Sequence, residues 1–179
     1  MDMRKAFEVS NLFYYQQIAK KTGIEKLQLY LDTCQYGNKK IGGAVDSFWI
    51  NGSLSISADE QLGFIKKLYF NQLPFSERSQ RIVRSMMLRE QTSNSRLSFK
   101  TGWGINGNKE VLWVVGYAEY IMIVKEHPNA MNKSNERNYP YFFAMNFDIP
   151  QNDTSKDWKA IRIAIVKEFI DNYFKKLDK

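Results

Sequence analysis

Residues 96 to 119 constrain the fold of this chain more than any other stretch. Arg96 to Lys100 reads as a strand and leads into Thr101-Gly102. Asn106-Gly107 follows, the strongest short hairpin signal a sequence carries. Val111 to Glu119 is then rich in β-branched and aromatic residues. Two such runs across an Asn-Gly turn predict an antiparallel pair. Tyr141 to Asp148, closed by Pro150, predicts a third strand. Past it, a helical pattern runs from about Ser155 to Phe174, with Ile161, Ile165, Phe169 and Tyr173 on its expected buried face.

Upstream of the strands the period is helical. Ser10 to Thr22 has Ser10 as an N-cap and Gly23 as a stop. A second helix spans about Ile24 to Thr33, with Leu27, Tyr30 and Leu31 on one face. Ser57-Ala58-Asp59-Glu60 is a capping box for a helix carrying Leu62, Ile65, Leu68 and Tyr69. Ser76 caps another, with Ile82, Val83, Met86 and Met87. Between the second and third helices, residues 35 to 56 hold Gly37, Gly42, Gly43 and Gly52 with Asn38 and Asn51. They read as a long irregular loop, and Phe48 and Trp49 inside it predict packing onto the core. Residues 126 to 139 are polar and turn-like. The order of elements is an α+β pattern, an antiparallel sheet flanked by helices, in one domain.

Length and composition agree. A chain of 179 residues with 44% hydrophobic and 15% aromatic residues has material for one packed core. The net charge of +7 raises the question of nucleic acid. The basic residues argue against that partner, because Lys20-Lys21, Lys39-Lys40, Lys66-Lys67 and Lys175-Lys176 are scattered pairs at predicted helix ends, where they complement the helix dipole. The single cysteine, Cys34, reads as a small core residue. With one histidine, His127, beside it in the inventory, a zinc site or a Cys–His dyad is not expected. No run of 18 apolar residues predicts a membrane span.

Four short stretches carry chemistry. Lys100-Thr101-Gly102-Trp103 puts a lysine, a strand edge with outward N–H groups and a glycine together. That set can attract an anion and let an acyl carbonyl approach the backbone. Read alone it is also an ordinary strand end. Tyr36-Gly37-Asn38 alone is a turn. Ser10-Asn11-Leu12 opens a helix, and Ser10 can cap that helix and still face a cleft. Val45-Asp46-Ser47-Phe48-Trp49, followed by Gly52-Ser53-Leu54-Ser55-Ile56-Ser57, can be core packing around Trp49.

In this order and spacing, the four stretches resemble the class D (oxacillinase-type) serine β-lactamases, within the penicillin-binding transpeptidase-like family. The resemblance continues through Leu73-Pro74-Phe75-Ser76, Trp113 to Glu119 and Phe142 to Asp148. It reaches Arg162, which matches an arginine that holds the β-lactam carboxylate; a surface helix arginine is the other reading of that residue. The family fold is implied for residues 1–179 as one incomplete domain whose N-terminal strands and nucleophile segment lie outside the chain. The resemblance assigns Ser10 and Lys100 to the catalytic machinery. It gives Thr101, Gly102, Trp103 and Arg162 to substrate binding, and makes Leu12, Tyr36, Asn38 and Trp49 supporting residues. Leu12 stands where the family has valine.

No serine of this chain is followed three residues on by a lysine. The family acylates through a Ser-x-x-Lys serine, using a lysine carbamylated by carbon dioxide as base. The resemblance therefore implies β-lactam recognition, an acyl-serine hydrolase in the family, and an isolated chain without turnover. A β-lactam-sensing domain that binds without turnover is the alternative. No cofactor and no metal are expected. The resemblance implies a bacterial exported or periplasmic setting. An open, apolar edge on the Tyr141–Asp148 strand is expected to make the isolated chain poorly stable or self-associating.

Overall fold

The computed structural model describes residues 1–124 and 135–177. Helices α1 (Met3–Glu8), α2 (Leu12–Thr22) and α3 (Ile24–Cys34) open the chain, and α4 (Ala58–Tyr69) and α5 (Glu77–Met87) follow a long irregular segment. Strands β1 (Leu88–Gln91), β2 (Ser95–Asn106), β3 (Lys109–Val124) and β4 (Asn135–Pro150) then form one antiparallel sheet in chain order, and α6 (Trp158–Leu177) closes the described chain. The predicted α+β class is observed.

Local chemistry explains the helix starts. Ser57 and Glu60 form the reciprocal capping box of α4, and the Ser76 hydroxyl accepts from the Ser79 N–H to start α5. The start of α2 differs from expectation. Asn11, not Ser10, is its N-cap, accepting from the Tyr14 N–H at 2.8 Å. Ser10 sits one residue earlier, in the left-handed region at φ 53°. The reason is α1, whose cap Asp2 and C-terminal Val9 leave only a tight elbow before α2.

The hairpin turn is also one residue later than predicted. Asn106 pairs with Lys109, so Gly107 and Asn108 are its central residues. Gly107 has φ 63° while Asn108 has negative φ, the pattern of a type II′ turn with glycine first.

The sheet separates two apolar layers. On one face Leu97, Phe99, Val114 and Ala118 pack against Val166, Ile170 and Phe174 of α6. On the other, Val115 and Tyr117 meet Ile65, Leu68 and Met87 from α4 and α5. The predicted buried face of α6 is wrong by one residue. Arg162, Val166, Ile170 and Phe174 are buried, and Ile165, Phe169 and Tyr173 are exposed. The two stripes are adjacent and almost equally apolar, so periodicity had no basis for choosing between them.

Three smaller differences complete the picture. The sheet has four strands among the described residues, because the polar run Leu88-Arg89-Glu90-Gln91 pairs with β2 despite its composition. β4 begins at Asn135, so residues 135 to 139 are strand; the remaining polar residues of that stretch, His127 included, lie outside the described residues. Cys34 is half-buried at the end of α3 rather than in the core. The irregular loop from 35 to 57 is observed, with Phe48 buried. On its outer edge β4 has no strand partner among the described residues, and no helix there is long and apolar enough to cross a membrane.

Candidate active site

Strand alternation decides which face each residue of Lys100-Thr101-Gly102-Trp103 serves. Lys100 pairs with Val115 and faces the α4–α5 layer; Phe99 faces α6. Lys100 Nζ reaches the α1–α2 elbow, where it donates to Ser10 Oγ, and it also donates to the Thr101 carbonyl at 2.9 Å. The Phe7 ring centroid lies 5.5 Å from the same ammonium. Burial pushes the Lys100 pKa down to about 8, and the positive charges of Arg89 and Arg162 push it the same way. No ion pair among the described residues involves Lys100.

Trp103 projects to the other face. Its ring lies under the Arg162 guanidinium at 5.3 Å and near Lys159 Nζ at 5.9 Å, and its Nε1 donates to Glu110 at 3.0 Å. Arg162 is buried, donates to the Gly102 carbonyl, and leaves its Nε–H without a partner among the described residues. Burial lowers its pKa, and the guanidinium stays charged.

The edge of β2 away from β3 is open to the loop. The Ile105 N–H leaves the sheet there to bond the Ile50 carbonyl at 2.9 Å. The β2–β3 register runs without a shift from Ser95 to Asn106. The N–H groups of Trp103 and Thr101 therefore point to that same edge. Gly102 keeps the passage narrow but clear: a Cβ there would come within 3.2 Å of the Trp113 Cβ.

Beside this edge lies a cavity of about 530 Å³, lined by Phe7, Tyr36, Trp49, Lys100, Thr101 and Gly102 among others. The Tyr36 hydroxyl donates to Gln61 at 2.7 Å, and burial drives its pKa up to about 12. Trp49 stands edge-on to the buried Phe48 at 5.0 Å. Asn38 braces the irregular loop instead, donating to the Ser53 carbonyl and accepting from the Ser55 N–H. Leu12 is exposed in the first turn of α2. The structure thus gathers Ser10, Tyr36, Trp49, Lys100, Thr101, Gly102, Trp103 and Arg162 around one strand end, with Asn38 in the loop frame and Leu12 apart.

Three residues escaped the sequence reading. Glu110 holds the Trp103 indole through a diagonal cross-strand contact, which only the correct hairpin register reveals. Gln61 is a polar residue on the buried stripe of α4, four and seven positions before Ile65 and Leu68. Phe7 belongs to the short helix that was not foreseen.

Residues 1–157 match the family model of the penicillin binding protein transpeptidase domain. The chain belongs to that family. It is 37% identical over 165 residues to β-lactamase OXA-48 of Klebsiella pneumoniae, covering 92% of this chain and 55% of that protein. It is 36% identical over 169 residues to OXA-5 of Pseudomonas aeruginosa, covering 93% of this chain and 57% of the other. Among solved structures, the class D β-lactamase FUS-1 (OXA-85) of Fusobacterium nucleatum aligns at a TM-score of 0.79 with 32% identity, over 96% of this chain and 63% of that one. The class D enzyme YbXI from Nostoc aligns at 0.76 with 34% identity, over 94% and 63%. The expected family and its α+β fold are both met. The chain spans about half the length of the curated relatives it matches.

Proposed function

We propose that this chain forms the β-lactam-recognising part of a serine β-lactamase site. The observation that carries the reading is the convergence of the Lys100–Ser10 hydrogen bond and the buried Arg162 on one end of β2. Arg162 supplies a planar cation for the carboxylate that β-lactams carry, and its buried Nε–H has no partner among the described residues. The outward N–H of Trp103 is placed to polarise the lactam carbonyl. Lys100 and Ser10 form a proton path beside it, fit to deliver a proton to the departing lactam nitrogen.

Hydrolysis in this reading proceeds through an acyl-serine whose nucleophile and carbamylated base belong to a Ser-x-x-Lys pair, and none of the 179 residues forms that pair. The chain by itself therefore binds and orients without turning over, because recognition alone leaves only residual catalysis. No cofactor is proposed for its own residues.

The test is calorimetric titration of the chain with a penicillin, with hydrolysis followed in parallel on a chromogenic cephalosporin in bicarbonate. Saturable binding, weakened about tenfold or more by Arg162→Ala, is expected, since a charge-assisted pair contributes roughly 1.5–3 kcal/mol. Absence of binding at millimolar ligand, or an affinity that Arg162→Ala leaves unchanged, overturns the reading.

A further inference from the structure

We propose that Ser10 is itself an acyl acceptor: the Ser10–Lys100 pair takes one acyl group per chain from activated acyl compounds, aryl esters and strained lactams, to form an ester at Ser10 Oγ. This inference shares Ser10 and Lys100 with the recognition reading but does not depend on β-lactam binding.

Four observations support it. Ser10 is exposed, on the elbow between α1 and α2, at φ 53°. A non-glycine residue in that conformation is sparsely populated in general and gathers at functional sites. The capping duty the hydroxyl would otherwise perform is taken by Asn11, which accepts from the Tyr14 N–H. The hydroxyl is thereby free for Lys100 Nζ. Lys100 lies against Phe7 of α1, the charges of Arg89 and Arg162 on the other face of the sheet act on it from a distance, and no carboxylate is paired to it among the described residues. Burial, and after it the charges of the two arginines, favour the neutral amine, which is the form that accepts a proton.

The step balances as follows. Neutral Lys100 Nζ takes the Ser10 Oγ proton as the Oγ–carbonyl carbon bond forms. The tetrahedral oxyanion collapses, the bond to the aryl oxygen breaks, and the phenolate departs with its electron pair. Lys100 then returns the proton to solvent. Among the described residues Lys100 Nζ is the only side-chain group hydrogen-bonded to Ser10 Oγ, so no second base is in place to activate water and the ester accumulates.

The experiment uses p-nitrophenyl acetate with the 179-residue chain, read by phenolate release and by tandem mass mapping. The expected result is an acetyl group on Ser10 that neutral hydroxylamine removes, as it removes esters but not amides. Its rate of formation should rise with pH through about 8. Lys100→Arg, which keeps the charge but stays protonated, should slow it at least tenfold. Ser10→Ala should abolish the labile label, both variants being compared at wild-type far-UV ellipticity. Acetyl groups confined to hydroxylamine-stable amines, or a Ser10 ester whose rate ignores Lys100→Arg, overturn the inference. A chain that binds penicillin reversibly yet leaves Ser10 unacetylated overturns it while recognition stands.

Discussion

The Arg162 guanidinium sits 5.3 Å above the Trp103 ring and has no carboxylate partner among the described ion pairs. A buried cation without a counter-charge costs desolvation energy that a ring face and one carbonyl only partly offset. Replacing it with an apolar residue of similar length should therefore stabilise the chain. Arg162→Met is expected to raise unfolding free energy by about 1–2 kcal/mol in urea titrations, while weakening penicillin binding about tenfold or more.

Lys100 gives a pH signature. Its folded pKa is held near 8, whereas an unfolded lysine titrates near about 10.4. Between those values the unfolded chain binds more protons, so stability rises with pH. Below the lower value the full cost of the buried charge is present. Relative to Lys100→Met, the wild-type chain should gain up to roughly 3 kcal/mol as pH rises through that window. Urea midpoints measured at steps across it, with the difference between the two proteins flat, would contradict this.

Gln80 stitches the α4–α5 connection. It is 2% exposed; its amide donates to the Leu73 and Phe75 carbonyls, and its oxygen accepts from the Leu73 N–H. Gln80→Ala leaves buried backbone groups unpaired and should cost roughly 2 kcal/mol. A harsher change is Gly116→Ala, whose Cβ would stand 2.1 Å from the Ser98 carbonyl oxygen, a backbone atom with no room to move. That variant should lose about 3 kcal/mol. Chemical denaturation of the two variants checks both.

The two stripes of α6 separate by behaviour. Ile170→Ala should cost about 2–5 kcal/mol, as a deletion from the core does. Phe169, 69% exposed, should tolerate Glu within about 0.5 kcal/mol. Exposed Ile165, Phe169 and Tyr173, together with the outer edge of β4, which has no strand partner among the described residues, are the surfaces expected to drive association between copies. Sedimentation velocity should show a concentration-dependent increase for the wild-type chain, reduced by Phe169→Glu. Identical profiles would remove α6 from that account.

Where a single local rule governs, the sequence was readable. The Ser57–Glu60 box, the Ser76 cap, the Gly23 stop and the strands around the hairpin all rest on such rules, and each is observed. Errors arose where two neighbouring candidates satisfied the same rule. Ser10 and Asn11 are both good caps, the α6 stripes are both apolar, and Asn106-Gly107 and Gly107-Asn108 are both turn dipeptides. Tertiary packing made each choice. The same division holds at the site. Lys100, Gly102, Trp103 and Arg162 were named from motif order, but the Trp103–Glu110 bond and the Phe7 ring over Lys100 are products of register and of an unforeseen helix.

The unbroken β2–β3 register also sets a parity rule for how this site tolerates insertions and deletions. Lys100 reaches Ser10 because an even number of steps separates it from Asn106, the last β2 residue before the turn. Losing one residue between them would carry the lysine through the sheet to the α6 side and bring an odd-position neighbour into the cavity. Losing two would return the lysine to its own face but slide it about 7 Å along the strand, opposite Trp113 instead of Val115. Changes of odd length along this arm should therefore be the more damaging to the cavity, and changes of even length should cost the Ser10 contact alone.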